Sequence, residues 1–439
     1  EEIKQNEILK GSHVVGNLNI KAATTNKCVV YVNKETTSLV IYPATVQGRF
    51  YLMGKGIDGD LSGLQTIQIG RSTNINDTDG FASNTSASIN LSLDFQSGNC
   101  TTKIPKNAFN GYSGNMINVV IYGNVTDSNG ITLENGSFCN MSNMAKLPMT
   151  NSTSLKTIPE NCMNNLTSLT SATTGYVVDV EGCNDMPNLT TLRIESSCEI
   201  VNGFNNCPKL KNLSFMSDGK VKEIGGLNSN AITTFYIPNM ALSVSGVNNC
   251  SALTTVVIGA SLTSFTGFNN CPKLNKFTVD SSNTTFKVVD NNLCQGNKLC
   301  RVPMSKSDIV VTNGTTEIMS NAIQIAFVNS ISIPNGCILA NDSIKCQSVG
   351  QIILHTSFNT ETGKYNNLTM TDFSTLDNVQ VGTIFTYGNG ITDTTNANCL
   401  PIVKYCIEHN INYVDMNETN TNARGAIGIS GNAELDGDN

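Results

Sequence analysis

The sequence predicts a repeat solenoid, wound as a right-handed superhelix, with a parallel β-sheet on one face and short turns or 3₁₀ segments on the other. Two observations predict this fold. A motif of the form L-x-x-φ-x-φ, where φ is an apolar residue, returns about every 21 residues. A second short segment, with two apolar residues three positions apart, recurs just before the motif. Repetition at a fixed period of this length is typical of solenoids.

The motif is clearest in the middle of the chain. Its leading apolar position falls at residues 189, 210, 232, 253 and 274, so the steps are 21, 22, 21 and 21. The φ-x-φ alternation is the pattern of a short strand with one buried face. One unit cannot bury that face alone, whereas stacked units form a parallel sheet over a shared core. Each fully buried Leu, Ile or Phe then contributes roughly 1.5–3 kcal/mol.

The same motif recurs outside this region, at 64–69, 116–121, 328–333 and 349–354. The segment that precedes it has near-identical copies in Phe204–Leu210 and Phe268–Leu274, and a third in Val247–Leu253. Apolar residues at i and i+3 fit one helical or 3₁₀ turn whose apolar side enters the core. We therefore expect a buried column that contains Cys207, Cys250 and Cys271, either as free thiols or as disulfides.

These pieces resemble the BspA-type leucine-rich repeat family, whose unit reads approximately I-P-x-x-A-F-x-x-C-x-x-L-x-x-I-x-I-P. Matching segments are Ile104–Phe109, Ile158–Met163, the three Asn-Cys segments and Ile333-Pro334. The resemblance covers roughly residues 28–355 and implies a leucine-rich repeat superhelix with β-hairpin insertions. It also implies export, display on the surface of host-associated microbes, and adhesion to host or microbial partners.

Three regions follow from these patterns. Residues 1–63 are expected to form an N-terminal capping region with a β-hairpin over 29–44, and residues 64–355 the leucine-rich repeats, with a hairpin insertion near 280–312. Residues 356–439 are expected to form a C-terminal cap and a flexible tail. The cap is predicted as a strand at Gly382–Tyr387, a helix at Leu400–Ile407 and a strand at Ile411–Val414.

Composition argues against several classes of function. The net charge is −7 and no run of Lys or Arg follows the chain, so no nucleic-acid binding is expected. No apolar stretch is long enough to span a bilayer. The 15 cysteines and three histidines lack zinc-site spacing, and no phosphate- or dinucleotide-binding loop occurs, so no metal and no cofactor are expected. His355 is followed by Thr356 and Ser357, but a Ser–His pair needs an orienting third group, and none is evident.

The residues that flank the φ positions are predicted to point out of the sheet and to form a binding face. The candidate binding residues there are Arg193, Met216, Tyr236, Val257 and Lys276. We expect a non-enzymatic, monomeric protein of the cell surface or the extracellular space, whose export signal is not in this chain and whose partner is a host or microbial surface protein or glycan. Two alternatives remain open: a polysaccharide-active enzyme on a β-solenoid, and a structural spacer.

Overall fold

The computed structural model describes residues 132–147, 155–356, 368–387 and 391–416 with their side chains, together with Asn110, Gly111 and Glu361; elsewhere it describes only the backbone of strands. The chain divides into two compact units. The first comprises Glu1–Cys271 and Asp280–Asn283, and the second comprises Pro272–Val279 and Thr284–Asn439. Each unit is built almost entirely from short strands, which is how a solenoid of 20- to 25-residue coils is made.

Twelve strands precede residue 123: β1 (Glu2–Ile3), β2 (Ile8–Leu9), β3 (Gly16–Ile20), β4 (Ala22–Ala23), β5 (Lys27–Tyr31), β6 (Thr36–Ile41), β7 (Arg49–Met53), β8 (Thr66–Ile69), β9 (Asn74–Asp77), β10 (Ser88–Asp94), β11 (Lys103–Ile104) and β12 (Asn115–Tyr122). They form parallel ladders in the orders β2-β5-β7-β9 and β12-β10-β8-β6-β3. The hairpin predicted over 29–44 is therefore wrong. β5 and β6 do contain its two strands, but each pairs in parallel within a different sheet. Parallel coil strands thus occur on both sides of residue 63.

The middle of the chain has two strands in most coils. One set carries the L-x-x-φ-x-φ motif: β15 (Ser171–Thr173), β17 (Thr191–Ile194), β19 (Asn212–Phe215), β21 (Thr234–Tyr236), β23 (Thr255–Ile258) and β25 (Lys276–Val279). The other set consists of two-residue strands: β13 (Thr132–Leu133), β14 (Thr157–Ile158), β16 (Asp179–Val180), β18 (Ile200–Val201), β20 (Glu223–Ile224), β22 (Ser243–Val244) and β24 (Ser264–Phe265). The six even-numbered strands from β14 to β24 form a second parallel ladder.

The core of the first unit lies between these two sets of strands. Leu189, Leu210 and Leu253, each of which leads a motif, are completely buried. From the opposite side, the second residue of each two-residue strand from β13 to β22, for example Val180 and Val201, is also buried, and Phe265 of β24 is half-buried. Cys207, Cys250 and Cys271 have no exposed surface, which confirms the predicted buried column. The predicted repeat solenoid with a parallel sheet is confirmed.

The predicted helical or 3₁₀ turn before each motif is wrong. The segment is a corner in which two residues adopt positive φ, for example Phe204 (59°) and Asn206 (55°). The same pair recurs as Val247 and Asn249, and as Phe268 and Asn270. A left-handed residue costs roughly 1–2 kcal/mol and cannot continue a right-handed turn. Burial of the Phe or Val side chain in the core offsets that cost.

After Pro272–Val279, the second unit contains an antiparallel meander in the region where the sequence predicts a hairpin insertion. Its strands are β26 (Phe286–Val289), β27 (Asn292–Gln295) and β28 (Lys298–Arg301). The unit continues with β29 (Asp308–Val310), β30 (Glu317–Ile318), β31 (Phe327–Ile333), β32 (Ile338–Leu339), β33 (Ser348–Leu354), β34 (Phe358–Asn359) and β35 (Lys364–Tyr365). Parallel pairing returns from β28 to β30 and from β29 to β31, so the meander passes directly into coils.

A strand–helix–strand element follows the last coil. It consists of β36 (Gln380–Thr386), helix α1 (Pro401–Glu408) and β37 (Asn412–Asp415), preceded by a single 3₁₀ turn at Ser374–Leu376. β36 pairs with β33, and β37 extends the same sheet in parallel. Pro401 at the first position starts α1, and Ile402, Val403 and Cys406 turn inward. The tail from Met416 onward is predicted to be flexible, and all of it beyond Met416 lies outside the described residues. Within the described part of the chain, no helix has the length and apolar character to cross a bilayer.

Candidate binding surfaces

The sheet face of the first unit holds four of the five predicted binding residues. Arg193 in β17 is exposed and lies in register with Ser214 in β19. Tyr236 in β21 has 62% of its surface exposed and lies in register with Val257 in β23, which is half-buried. The motif strands place these side chains outward because the alternating φ residues face the core.

The face is not one continuous sheet. β15, β17 and β19 form one ladder, and β21 pairs with β23 in another, so the strands that carry Arg193 and Tyr236 are not hydrogen-bonded to each other through a common ladder. Met216 follows the end of β19 and is half-buried. Lys276 is exposed on β25, in the second unit. The structure thus brings Tyr236 and Val257 together directly, and places Arg193 and Met216 on neighbouring coils.

Arg193 is part of a small polar network. Its Nε lies 2.9 Å from the carboxylate of Glu195, which also accepts a hydrogen bond of 2.9 Å from the Thr173 hydroxyl of the preceding coil. The backbone N–H of Glu195 donates to the buried Thr174 hydroxyl at 2.9 Å. This network fixes the guanidinium beside the sheet, although an exposed ion pair contributes at most about 1 kcal/mol to folding.

Asparagine side chains join the coils at the corners. In the inner amide ladder, formed by Asn164, Asn184, Asn205, Asn228, Asn248 and Asn269, each side-chain oxygen accepts a hydrogen bond from the next member. The donor is a backbone N–H at four of the five steps, for example Asn205 N–H to Asn184 Oδ1 at 2.8 Å. The ladder therefore provides hydrogen-bond acceptors for backbone N–H groups at the corner, which lie outside the β-sheets.

A second row, the outer amide ladder, is exposed beside the first. Asn140 donates to Asn110 Oδ1 and Asn165 donates to Asn140 Oδ1, both at 2.8 Å. Asn206 donates to Asp185 Oδ1 at 2.8 Å, and Asn270 donates to Asn249 Oδ1 at 2.9 Å. Asn140, Asn165, Asp185, Asn206, Asn249 and Asn270 all have φ between 54° and 59°. Asn and Asp are the side chains that tolerate this conformation best.

A polar groove of about 510 Å³ lies along the outer ladder in the first unit. Six asparagines, Asp185, Gly136 and Cys139 line it. The asparagines come from several coils, so the groove runs across successive coils, along the stacking direction of the solenoid. Its side chains are hydrogen-bonding groups, and the lining includes neither an aromatic ring nor a basic residue.

Every cysteine in the part of the chain that the structure describes is a buried, free thiol. Burial raises the pKa of the Cys198 thiol, and of the Cys207 thiol, to about 12, and the pKa of the Cys162 thiol to about 11. Thiolates are the reactive form of cysteine, so these side chains act as small apolar core residues.

The second unit contains a serine–histidine contact. Ser332 Oγ lies 2.6 Å from His355 Nε2, across neighbouring strands. Among the described residues, no carboxylate contacts the other ring nitrogen of His355, although a hydrolytic triad requires one there. Nor do the described residues contain a group of three or more His, Cys, Asp or Glu side chains that could hold a metal ion.

Sequence reasoning missed three structural features. The second parallel ladder is signalled by Ile158, Val180, Val201, Ile224 and Val244, which recur at steps of 22, 21, 23 and 20. The two amide ladders are signalled by the paired asparagines of the Asn-Asn-Cys segments. The groove has no signal of its own, because its residues come from coils of unequal length between 110 and 185.

No protein-family model matches the chain, and no curated protein matches it in sequence. Three solved structures are similar to parts of it. A leucine-rich repeat protein from Eubacterium ventriosum is 12% identical at a TM-score of 0.35, covering 56% of this chain and 86% of that one. A leucine-rich cell surface protein from Faecalibacterium prausnitzii is 13% identical at 0.33, covering 84% and 87%. The pneumococcal vaccine antigen PcpA is 12% identical at 0.31, covering 69% and 96%.

With TM-scores this low, the fold is assigned from the chain's own coils. Their repeat length, parallel ladders and buried leucine row define a solenoid of stacked coils. The chain folds as a solenoid of leucine-rich repeats, and its repeat unit resembles that of the BspA-type family.

Proposed function

We propose that this chain is a non-catalytic binding module, displayed outside the cell, whose sheet face contacts a host or microbial surface protein or glycan. The observation that carries the proposal is Tyr236, a large amphipathic side chain left 62% exposed beside Val257 on a strand pair of the sheet. Tyr and Arg are enriched in the centres of protein interfaces, and a solenoid sheet is a common binding face. The location outside the cell comes from the family resemblance.

The experiment measures binding of the whole chain to immobilised extracellular-matrix proteins and to an array of host and bacterial glycans. For any ligand found, Tyr236→Ala is compared with Met240→Ala. Met240 is a matched control because it is also large, apolar and 54% exposed, but lies in the turn after β21 instead of on a strand. A central interface tyrosine contributes 2 kcal/mol or more, so we expect binding to weaken about 30-fold with Tyr236→Ala alone. Equal binding by both variants would refute the sheet-face proposal.

The enzyme alternative has one specific observation, the Ser332–His355 contact. An acyl-transfer site also needs an orienting group for the histidine and an oxyanion hole. Incubation with ester and polysaccharide substrates tests this directly. We expect no turnover above buffer, and turnover that Ser332→Ala abolishes would replace the binding proposal by a catalytic one.

A further inference from the structure

The polar groove on the outer amide ladder has a lining that selects its ligand by chemistry. It offers six asparagine amides and one carboxylate, and four of those asparagines, together with Asp185, have exposed side chains. Each primary amide both donates and accepts hydrogen bonds. An anionic ligand would meet Asp185 and no basic lining residue, and an apolar ligand would leave the amides unpaired. The lining therefore fits a neutral ligand that also donates and accepts.

Within the groove, the outer ladder is interrupted at one step. Along the ladder, each side-chain N–H₂ donates to the oxygen of the preceding coil, as Asn165 does to Asn140 and Asn206 does to Asp185. Asp185 occupies the ladder position that follows Asn165, with the same backbone conformation. A carboxylate has no N–H to donate, so Asn165 Oδ1 does not receive the usual ladder bond. Two acceptors, Asn165 Oδ1 and the second oxygen of Asp185, thus follow each other on adjacent coils.

A hydroxyl-bearing ligand supplies the hydrogen-bond donor that is lacking between Asn165 and Asp185. A hydroxyl group placed there donates to one of the two oxygens, and its neighbours on the same molecule pair with the remaining amide N–H groups. Adjacent coils are about 4.8 Å apart, and the lining spans several of them, so an extended ligand contacts more amides than a small one. A single carboxylate with neutral amides is a poor site for a divalent cation, which prefers several charged oxygens.

We propose that this groove binds a neutral saccharide chain, with Asp185 and Asn165 as the acceptor pair that orients its hydroxyl groups. The site is separate from the strands that carry Tyr236, so the inference stands or fails independently of the sheet-face function.

The test is affinity electrophoresis of the whole chain in native gels that contain dextran, glycogen, galactomannan or xyloglucan, with dextran sulfate as the anionic arm. Gels without polysaccharide correct for the charge of each variant. We expect at least one neutral polysaccharide to retard the chain, without added calcium and equally for Tyr236→Ala.

Asp185→Asn is the decisive variant. The new amide can accept from Asn206 as before and can also donate to Asn165 Oδ1, so it closes the ladder and removes the charge. We expect unchanged or higher thermal stability, and binding weakened about tenfold, the effect of losing one hydrogen bond to a charged group. Asn249→Asp is the matched control, since it makes the opposite exchange in the same ladder outside the groove and keeps the bond from Asn270.

Any one of four results would overturn the proposal. The first is that no neutral polysaccharide retards the wild-type chain. The second is retardation by dextran sulfate alone, or only with calcium, which indicates an anionic ligand or a bridging cation. The third is equal retardation of wild type and Asp185→Asn. Loss of binding by Asn249→Asp to the same extent as by Asp185→Asn would also count against the groove.

Discussion

Glycines of successive coils stack just before the first positive-φ residue of the corner, such as Phe204, and Gly203→Ala tests how closely the coils approach there. A Cβ on Gly203 would overlap the carbonyl oxygen of Gly182 in the preceding coil, and Gly267 has the same relation to Gly246. The overlap is with backbone, so it can be relieved only if the coils move apart. The hydrogen bonds at risk are those from Asn202 and Gly203 to Val180 O (2.8 and 2.9 Å) and from Phe204 to Gly182 O (3.3 Å).

Three backbone hydrogen bonds at about 1 kcal/mol each give a loss of about 3 kcal/mol, reduced by less than 1 kcal/mol because alanine restricts the unfolded chain. Gly111→Ala is the control: a Cβ there meets nothing within 4 Å, and only its φ of 74° opposes the change. That conformation costs alanine roughly 1 kcal/mol. Urea denaturation followed by circular dichroism measures both variants. If Gly203→Ala destabilises no more than Gly111→Ala, the close approach of the coils is refuted.

Three further predictions concern the core, the inner ladder and the thiols. Leu210→Ala, at a completely buried position, should lower the free energy of unfolding by about 2–5 kcal/mol in urea titrations. Asn184→Ala leaves the Asn205 N–H without its acceptor and should cost about 1–3 kcal/mol by the same assay, whereas exposed Asn212→Ala should cost little. Native Cys198 and Cys207 should not react with a thiol reagent at pH 8. Because their folded pKa of about 12 lies above the unfolded value near 9, each should also remove about 1.4 kcal/mol of stability per pH unit as pH rises between those values.

The motif strands could be predicted from sequence because their signal is local and periodic. Leu189, Leu210, Ile232 and Leu253 lie 21 or 22 residues apart, and apolar residues alternate after each, so strand, register and buried face follow together. The C-terminal helix could also be predicted from the sequence, because Pro401 marks its start and its apolar residues recur at helical spacing. Both patterns depend only on residues close in sequence.

The corners could not be predicted because tertiary packing decides them. An apolar pair such as Phe204 and Cys207 fits a helical turn by spacing alone, and nothing local shows that Phe204 takes positive φ. The inner amide ladder stabilises this corner conformation because it accepts hydrogen bonds from the corner N–H groups. The ladder forms only when the coils are stacked. The hairpin prediction over 29–44 was wrong for a similar reason. Two strands around a polar turn resemble a hairpin, but in the structure each strand pairs in parallel with a strand of a neighbouring coil.

The candidate sites divide in the same way. Tyr236 and Arg193 could be placed on the sheet face because strand alternation decides which side chains point outward. The break between the two ladders that carry Arg193 and Tyr236 could not be predicted, because it depends on the path of the chain between β19 and β21. The groove could not be predicted either. Its acceptor pair arises because Asp185 takes the place of an asparagine in the outer amide ladder, and that ladder cannot be inferred before the fold is known.

Cross-linking of cysteine pairs tests the stacked-coil account most directly. Arg193→Cys with Ser214→Cys joins register partners on adjacent strands, about 4.8 Å apart, whereas Arg193→Cys with Val257→Cys spans three coils. The native thiols in the described part of the chain are buried, so a short bifunctional thiol reagent reports there on the introduced pair, and the unsubstituted chain is the control for all native thiols. We expect rapid cross-linking of the first pair and none of the second. Failure of the first pair to cross-link, or equal cross-linking of both pairs, would contradict the parallel stacking of the coils.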